Sequence, residues 1–236
     1  MSTYKQVDEY IRAYMEKWEI VGLSLAIIRN GSVAYSEGYG VQNRETKMPI
    51  TPQSLFHIAS VAKTMTSSAI LQLVEAGQLQ LDDPIVQHVP DFRVDDQRSD
   101  QITVRQCLCH TSGIGHPEMY GWDSPEFDDE SLVRHVRTLA THKLKEIATV
   151  SGMSYEAYMK RHIFDPLGMT TTTLMAPRAE CPELVVTGYQ RSGETLAEFG
   201  EIEQSLYPYN RMHVPCGCIA SSADEMARGM LASLNR

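Results

Sequence analysis

Features that would place this chain among membrane-spanning or nucleic-acid-binding proteins are missing from its sequence. It has no run of about 18 or more apolar residues, which excludes a membrane-spanning helix. Its first residues hold no basic cluster followed by an apolar stretch, so no secretory signal is visible. The 21 Lys and Arg form no basic run and are outnumbered by 30 Asp and Glu, which argues against nucleic acid or membrane partners.

Cysteine is sparse, and its number is odd. With five cysteines and no visible signal peptide, we expect reduced thiols and a cytoplasmic location. Cys107 with Cys109 and Cys216 with Cys218 form two Cys-x-Cys pairs, but paired zinc ligands are usually separated by roughly two to four residues. We therefore expect small packed thiols and neither a metal nor a cofactor.

The sequence does contain enough apolar material for a folded domain. Hydrophobic residues make up 42% of the 236 residues, and a chain of this length buries roughly 70% of its unfolded surface. Apolar residues at helical spacing predict a helix over residues 3–18. Two β-prone runs, residues 21–28 and 32–35, flank Asn30-Gly31, which is the strongest short signal for a β-hairpin.

The later part of the chain alternates between helical and extended patterns. Residues 60–76, 130–150 and 154–164 are predicted to be helical, and residues 184–189 read as a strand. Residues 165–169 are predicted to form a turn, and Ser222 is the predicted N-cap of the last helix. No repeat and no linker separates independent domains, so we expect a single domain over residues 1–236.

Ser60 and Lys63 form a Ser-x-x-Lys pair at the start of a predicted helix. Residues three apart lie on the same face one turn apart, so the amine can approach the hydroxyl. A lysine whose pKa is lowered by desolvation can accept the serine proton and create a nucleophile for acyl transfer. Alone the pattern is weak, because an amphipathic helix with a capping serine and a solvated lysine gives the same spacing.

The surrounding sequence makes the pair more specific. This chain closely resembles the serine β-lactamase-related family, which includes class C β-lactamases, penicillin-binding peptidases and β-lactamase-like esterases. The stretches that carry the resemblance, in chain order, are FHIASVAKTMT (56–66), LQLVEAGQL (71–79), LDDP (81–84), HTSG (110–113), DPLGM (165–169) and GCIASSAD (217–224).

The resemblance implies a fold and a set of roles. The fold would be α+β, with an antiparallel sheet formed by residues 1–55 and about 180–236 and a helical portion between them. Ser60 would be the acylated nucleophile, Lys63 its proton acceptor, and the Ser60 backbone N–H one oxyanion donor. The substrate would be a small-molecule or peptide-like acyl donor, and Tyr120 and Trp122 are candidates for contacting it.

Two departures from the family pattern stand beside the match. Family members carry a Tyr-x-Asn motif, yet none of the eleven tyrosines here has Asn two residues later. The block that should hold it is shortened, since Leu144 lies almost directly before Glu146. Family members also continue into strands that carry a Lys-Thr-Gly-type motif and a second oxyanion donor. Arg191-Ser192-Gly193 precedes the expected place and reads as a plain turn.

These departures leave the activity open. Losing an oxyanion donor costs about 10²–10³ in turnover, and losing a positioned proton-transfer group about 10²–10⁴. We therefore expect a serine hydrolase with impaired activity. The alternatives are a catalytically silent relative that serves in binding or assembly and an incomplete version of a longer enzyme. An incomplete sheet would also expose an edge through which chains could associate.

Overall fold

The computed structural model describes most of the sequence. The described residues are 4–90, 92–93, 98–114, 151–176, 179, 181–191, 202–204 and 217–234. Within these ranges no helix has both the length and the apolar character needed to cross a membrane.

Two units make up the chain. The first combines Met1–His57, Leu167–Tyr207 and Ala220–Arg236, and the second combines Ile58–Pro166 and Pro208–Ile219. Each unit is therefore built from segments that are distant in sequence.

The first unit opens with the predicted helix and hairpin. Helix α1 spans Lys5–Trp18, and strands β1 (Gly22–Arg29) and β2 (Ser32–Gly40) pair antiparallel. Asn30 and Gly31 join the strands with φ values of 53° and 72°, the positive pair that a type I′ turn requires. The structure confirms the hairpin, and it places the start of the helix at Lys5.

Both faces of this hairpin are covered. Side chains alternate between the faces of a strand, so Leu23 and Leu25 share one face with Tyr39. Ile11 and Met15 of α1 pack against that face. The last helix, Ala223–Leu234, packs against both strands, and its Asp224 accepts a hydrogen bond from Ser36 on the opposite face. Helices on both sides stabilise a two-stranded sheet that would be marginal alone.

Asp8 anchors α1 to β2 through two tyrosines. Its Oδ1 accepts hydrogen bonds from the Tyr35 hydroxyl at 2.5 Å and from the Tyr39 hydroxyl at 2.7 Å. The ring of Tyr4 stacks on that of Tyr35, with centroids 4.9 Å apart. The hydrogen bond from Tyr35, followed by that from Tyr39, lowers the pKa of Asp8 below its usual 3.8.

This anchor predicts an acid-dependent loss of stability. Because the pKa of Asp8 is lower in the folded state, its contribution is complete above about pH 5 and is lost as pH falls through the folded pKa. The free energy of unfolding of the wild type should exceed that of Asp8→Asn near neutrality, and the difference should shrink in acid. Denaturant melts at several pH values measure it. Glu16→Gln on the same helix is the control, and a pH-independent Asp8→Asn difference would contradict the account.

The rest of the first unit is held by short pairings. Strand β3 (Phe56–His57) pairs with β6 (Ala220–Ser221), and β4 (Tyr189–Arg191) pairs with β5 (Ile202–Gln204). The strand predicted over residues 184–189 is wrong in extent, because Pro182–Leu184 is a 3₁₀ turn. Val185 forms a single β-bridge, to Leu55. The bridge does not extend into a ladder because Phe56 and His57, which follow Leu55, pair with β6.

A buried glutamate fixes the start of the last helix. Glu225 accepts hydrogen bonds from the Thr171 N–H at 2.9 Å and the Thr172 hydroxyl at 2.6 Å. Its own N–H donates to Ser222 Oγ at 3.2 Å, which confirms the predicted N-cap. A carboxylate this buried needs hydrogen-bond donors. Through them Glu225 ties the 170–172 loop to the helix.

The second unit is organised around helix α2 (Ala62–Glu75). Ala69, Ile70 and Leu73 are buried on its inner face, and Gly77 follows its end with a φ of 70°. Packed against α2 is a helical run that consists of α5 (Tyr155–Met159) and a π-helical turn (Lys160–Phe164). The Gln72 side chain donates to the carbonyl of His162 within that turn, at 3.1 Å.

Shorter helices complete the second unit. They are α3 (Ile85–His88) and α4 (Val104–Leu108), the latter with a capping box between Thr103 and Gln106. The turn predicted at residues 165–169 is wrong in its first part. Asp165–Leu167 continues helically as α6, and the chain turns only at Gly168, where φ is 66°. Proline is tolerated there because it lies in the first turn of α6.

Candidate active site

Ser60 lies in a 3₁₀ turn (Ala59–Val61) that leads directly into α2. Its side chain is exposed and makes no capping bond to the helix, so the reading of Ser60 as an N-cap does not apply. The turn is anchored by two backbone bonds, from the Ile58 N–H to the Ile219 carbonyl at 3.0 Å and from the Val61 N–H to the Ile58 carbonyl at 3.1 Å. These bonds hold the hydroxyl at the surface of the second unit.

Lys63 reaches back along the helix to this hydroxyl. Its Nζ lies 3.0 Å from Ser60 Oγ, which is hydrogen-bonding distance. Lys63 is half-buried. A neutral amine at this distance can accept the serine proton, and an ammonium can donate to the oxygen. The two atoms are therefore close enough for a proton to pass between them.

The residue before the serine has an unusual backbone. Ala59 has a φ of 45°, in the left-handed region that residues other than glycine rarely adopt. Between the extended β3 and the helical α2, Ala59 begins the 3₁₀ turn that carries Ser60. Backbone strain of this kind costs on the order of 1–3 kcal/mol, and the packed surroundings must maintain it.

Substitutions at Ala59 should report this strain. Glycine adopts positive φ freely, so Ala59→Gly should leave the free energy of unfolding within about 1 kcal/mol of the wild type. A β-branched side chain fits that region poorly, and Ala59→Val should destabilise by about 1–2 kcal/mol. Ala157→Val, at an exposed position in α5, is the matched control and should cost about 0.5 kcal/mol. Equal losses for both valine variants in denaturant melts would contradict the assignment.

Two histidines, His57 and His110, differ in burial. His57 is half-buried in β3, where burial lowers its pKa and favours the neutral imidazole at pH 7. His110 is exposed in the loop after α4, with a φ of 56°. Tyr120 and Trp122, the two predicted substrate contacts, lie outside the described residues. Residues 139–150 of the shortened segment also lie outside the described residues.

The adjacent carboxylates Asp82 and Asp83 make local hydrogen bonds. Asp82 accepts two hydrogen bonds from Arg105, at 2.7 and 2.9 Å. Asp83 accepts from the Gln80 N–H at 2.7 Å and contacts His88 Nε2 at 2.9 Å. Of the cysteines, Cys107, Cys109, Cys181 and Cys218 are free thiols. Within the described part of the chain, no three metal-ligating side chains cluster.

Sequence comparisons identify the family of this chain. A family model described as Beta-lactamase matches residues 7–236. "Protein flp" of Staphylococcus aureus (strain NCTC 8325 / PS 47) is 38% identical over 251 residues, which cover 98% of this chain and 49% of that protein. "Putative penicillin-binding protein PbpX" of Bacillus subtilis (strain 168) is 35% identical over 180 residues, which cover 70% of this chain and 45% of that protein.

Solved structures share the fold. The octameric penicillin-binding protein homologue from Pyrococcus abyssi superposes with a TM-score of 0.81 at 26% identity, covering 99% of this chain and 57% of that one. A class C β-lactamase from Rhodobacter sphaeroides gives a TM-score of 0.73 at 22% identity, covering 94% and 63%. The predicted α+β, β-lactamase/transpeptidase-like fold is thereby confirmed.

The chain belongs to the β-lactamase family. It spans about half the length of the curated relatives that it matches. The match to protein flp extends over 251 residues, more than the 236 of this chain, so the relative contains residues that have no counterpart here.

Proposed function

We propose that this protein is a serine acyl-transfer protein of the β-lactamase-related family that forms an acyl ester on Ser60 and hydrolyses it slowly. The observation that carries the proposal is the 3.0 Å contact between Lys63 Nζ and Ser60 Oγ in a chain of this family. The substrate class is an ester or an amide-like acyl donor. One relative's name contains the words penicillin-binding, so a β-lactam is one acyl donor to test.

Lys63 moves the proton in the proposed reaction. As a neutral amine it takes the proton from the Ser60 hydroxyl while Oγ attacks the acyl carbonyl and forms the new C–O bond. The same proton then passes from the Lys63 ammonium to the leaving oxygen or nitrogen as the old acyl bond breaks. Water completes the cycle by hydrolysing the ester, which releases the acid and restores the serine hydroxyl.

The missing motifs bear on the rate of this cycle. The sequence has no Tyr-x-Asn to assist proton transfer and no Lys-Thr-Gly-type motif to supply a second oxyanion donor. Each loss costs about two or more powers of ten in turnover. An ordinary enzyme turns over about ten times per second, so we expect acylation to be detectable and turnover to be very slow.

Intact-mass spectrometry tests this proposal. Incubation with a fluorophosphonate or a penicillin should add one adduct mass to the wild type and none to Ser60→Ala. Ser68→Ala is the matched control, because Ser68 is an exposed serine of α2 whose hydroxyl bonds the Thr64 carbonyl at 2.9 Å. It should be labelled like the wild type. Absence of the adduct from the wild type, or its persistence in Ser60→Ala, would contradict the proposal.

A second candidate function is assembly without catalysis. Among the described strands, β1 pairs only with β2, and no described strand pairs with its other edge. Apart from the terminal Arg29, β1 holds no charged residue and no proline, which are the residues that usually block edge-to-edge association. Association of two copies through β1 is the partner mode that this edge favours. The odd cysteine count supports a cytoplasmic location for either function.

Concentration dependence tests the assembly candidate. Light scattering should show a mass above that of the 26.5 kDa monomer, and the β1 amides should exchange hydrogen more slowly as protein concentration rises. The α2 amides provide the internal control, because their exchange should stay constant. A monomer at every concentration would rule out association through β1.

A further inference from the structure

Two buried hydroxyls link α2 to the helix packed against it. Thr66 lies one turn beyond Lys63, and its Oγ1 is 2.9 Å from the hydroxyl oxygen of Tyr155, the first residue of α5. Tyr155 is 4% exposed and Thr66 is 6% exposed. Thr66 Oγ1 also donates to the carbonyl of Ala62 at 3.2 Å. The contact therefore leads from α5 to the first residue of α2.

The Ala62 carbonyl, at one end of this series of hydrogen bonds, limits the direction in which each hydroxyl can donate. A carbonyl oxygen can only accept, so the Thr66 hydroxyl proton points to Ala62. With the Thr66 hydroxyl donating to the Ala62 carbonyl, the Tyr155 hydroxyl is the donor to Thr66 Oγ1. Successive hydrogen bonds polarise one another, and a donor on Thr66 strengthens the bond that Thr66 makes to Ala62.

This bond acts on the turn that carries the reacting pair. A threonine that bonds the carbonyl four residues earlier tilts that carbonyl and bends the helix locally. The tilted carbonyl belongs to Ala62, which directly precedes Lys63 and lies two residues after Ser60. The direction in which the Lys63 stem leaves the helix depends on the backbone of this same turn.

We propose that Tyr155 is a positioning residue that, through Thr66 and the Ala62 carbonyl, sets the first turn of α2 so that Lys63 Nζ meets Ser60 Oγ. The inference rests on the proposed function. In this role Tyr155 acts through Thr66 and the Ala62 carbonyl. Its side chain could fill the same space without a hydroxyl, so the hydroxyl is the group that the role requires.

Tyr155→Phe, which removes only that hydroxyl, is the direct test. Tyr158→Phe is the matched control, since Tyr158 is equally buried in α5 and its ring stacks on His162 with centroids 4.4 Å apart. With an activated ester, Tyr155→Phe should lower the maximal acylation rate constant about tenfold or more and leave the half-saturating ester concentration unchanged. Tyr158→Phe should match the wild type in both quantities.

Thr66 variants separate positioning from packing. Thr66→Ser keeps the hydroxyl and should retain the wild-type acylation rate, whereas Thr66→Val keeps the shape and should be as slow as Tyr155→Phe. Variants must first show a cooperative melt. If Thr66→Val and Thr66→Ser acylate equally fast, or if Tyr155→Phe and Tyr158→Phe do, the positioning role is wrong.

A readout that needs no reaction keeps this inference separate from the proposed function. In protein labelled with ¹³C at lysine Cε, the Lys63 signal is the one lost in Lys63→Arg. Tyr155→Phe should move that signal, and Tyr158→Phe should leave it in place. A wild type that is not acylated would overturn the proposed function alone, and a Lys63 signal unmoved by Tyr155→Phe would overturn the positioning role.

Discussion

The site depends on one contact, between the Lys63 amine and the Ser60 hydroxyl, 3.0 Å apart. The i, i+3 spacing creates the opportunity, but the distance also requires a serine on a 3₁₀ turn and a lysine on the first turn of a true α-helix. The Ala59 backbone and the bond from the Ile58 N–H to Ile219 fix that transition. The contact between Lys63 and Ser60 therefore depends on backbone geometry as much as on the two side chains.

Local signals in the sequence were sufficient for several elements. Asn30-Gly31 predicted the hairpin because positive φ at both turn residues is a local requirement that few other residue pairs satisfy. Ser222 predicted the start of the last helix because a capping hydroxyl acts only over one turn. The family motifs predicted the fold, since they occur in the expected order along the chain.

Other features depend on distant contacts and could not be predicted in this way. The strand expected over residues 184–189 is cut short because its pairing with Leu55 stops after one residue. The residues that follow Leu55 pair with β6 instead. The positive φ of Ala59 has no signal in its residue type. The Thr66–Tyr155 bond joins residues 89 positions apart, and neither side chain is distinctive in a sequence until α2 and α5 are packed together.

Within the family, this chain combines a complete Ser-x-x-Lys pair with departures in the parts that usually support it. The nucleophile and its proton acceptor lie within four residues and need only one turn of helix, whereas the absent motifs belong to distant segments. An oxyanion donor and a proton-transfer group lower the barriers to acylation and to ester hydrolysis alike, so both steps depend on both groups.

The most direct test of this account is the rate at which an activated ester acylates Ser60 in Lys63→Met compared with the wild type. Methionine keeps an unbranched stem but cannot carry a proton. If Lys63 is the proton acceptor, acylation should slow by about a hundredfold or more, in the range for a lost general base. Equal acylation rates in the two proteins would contradict the central role of the contact.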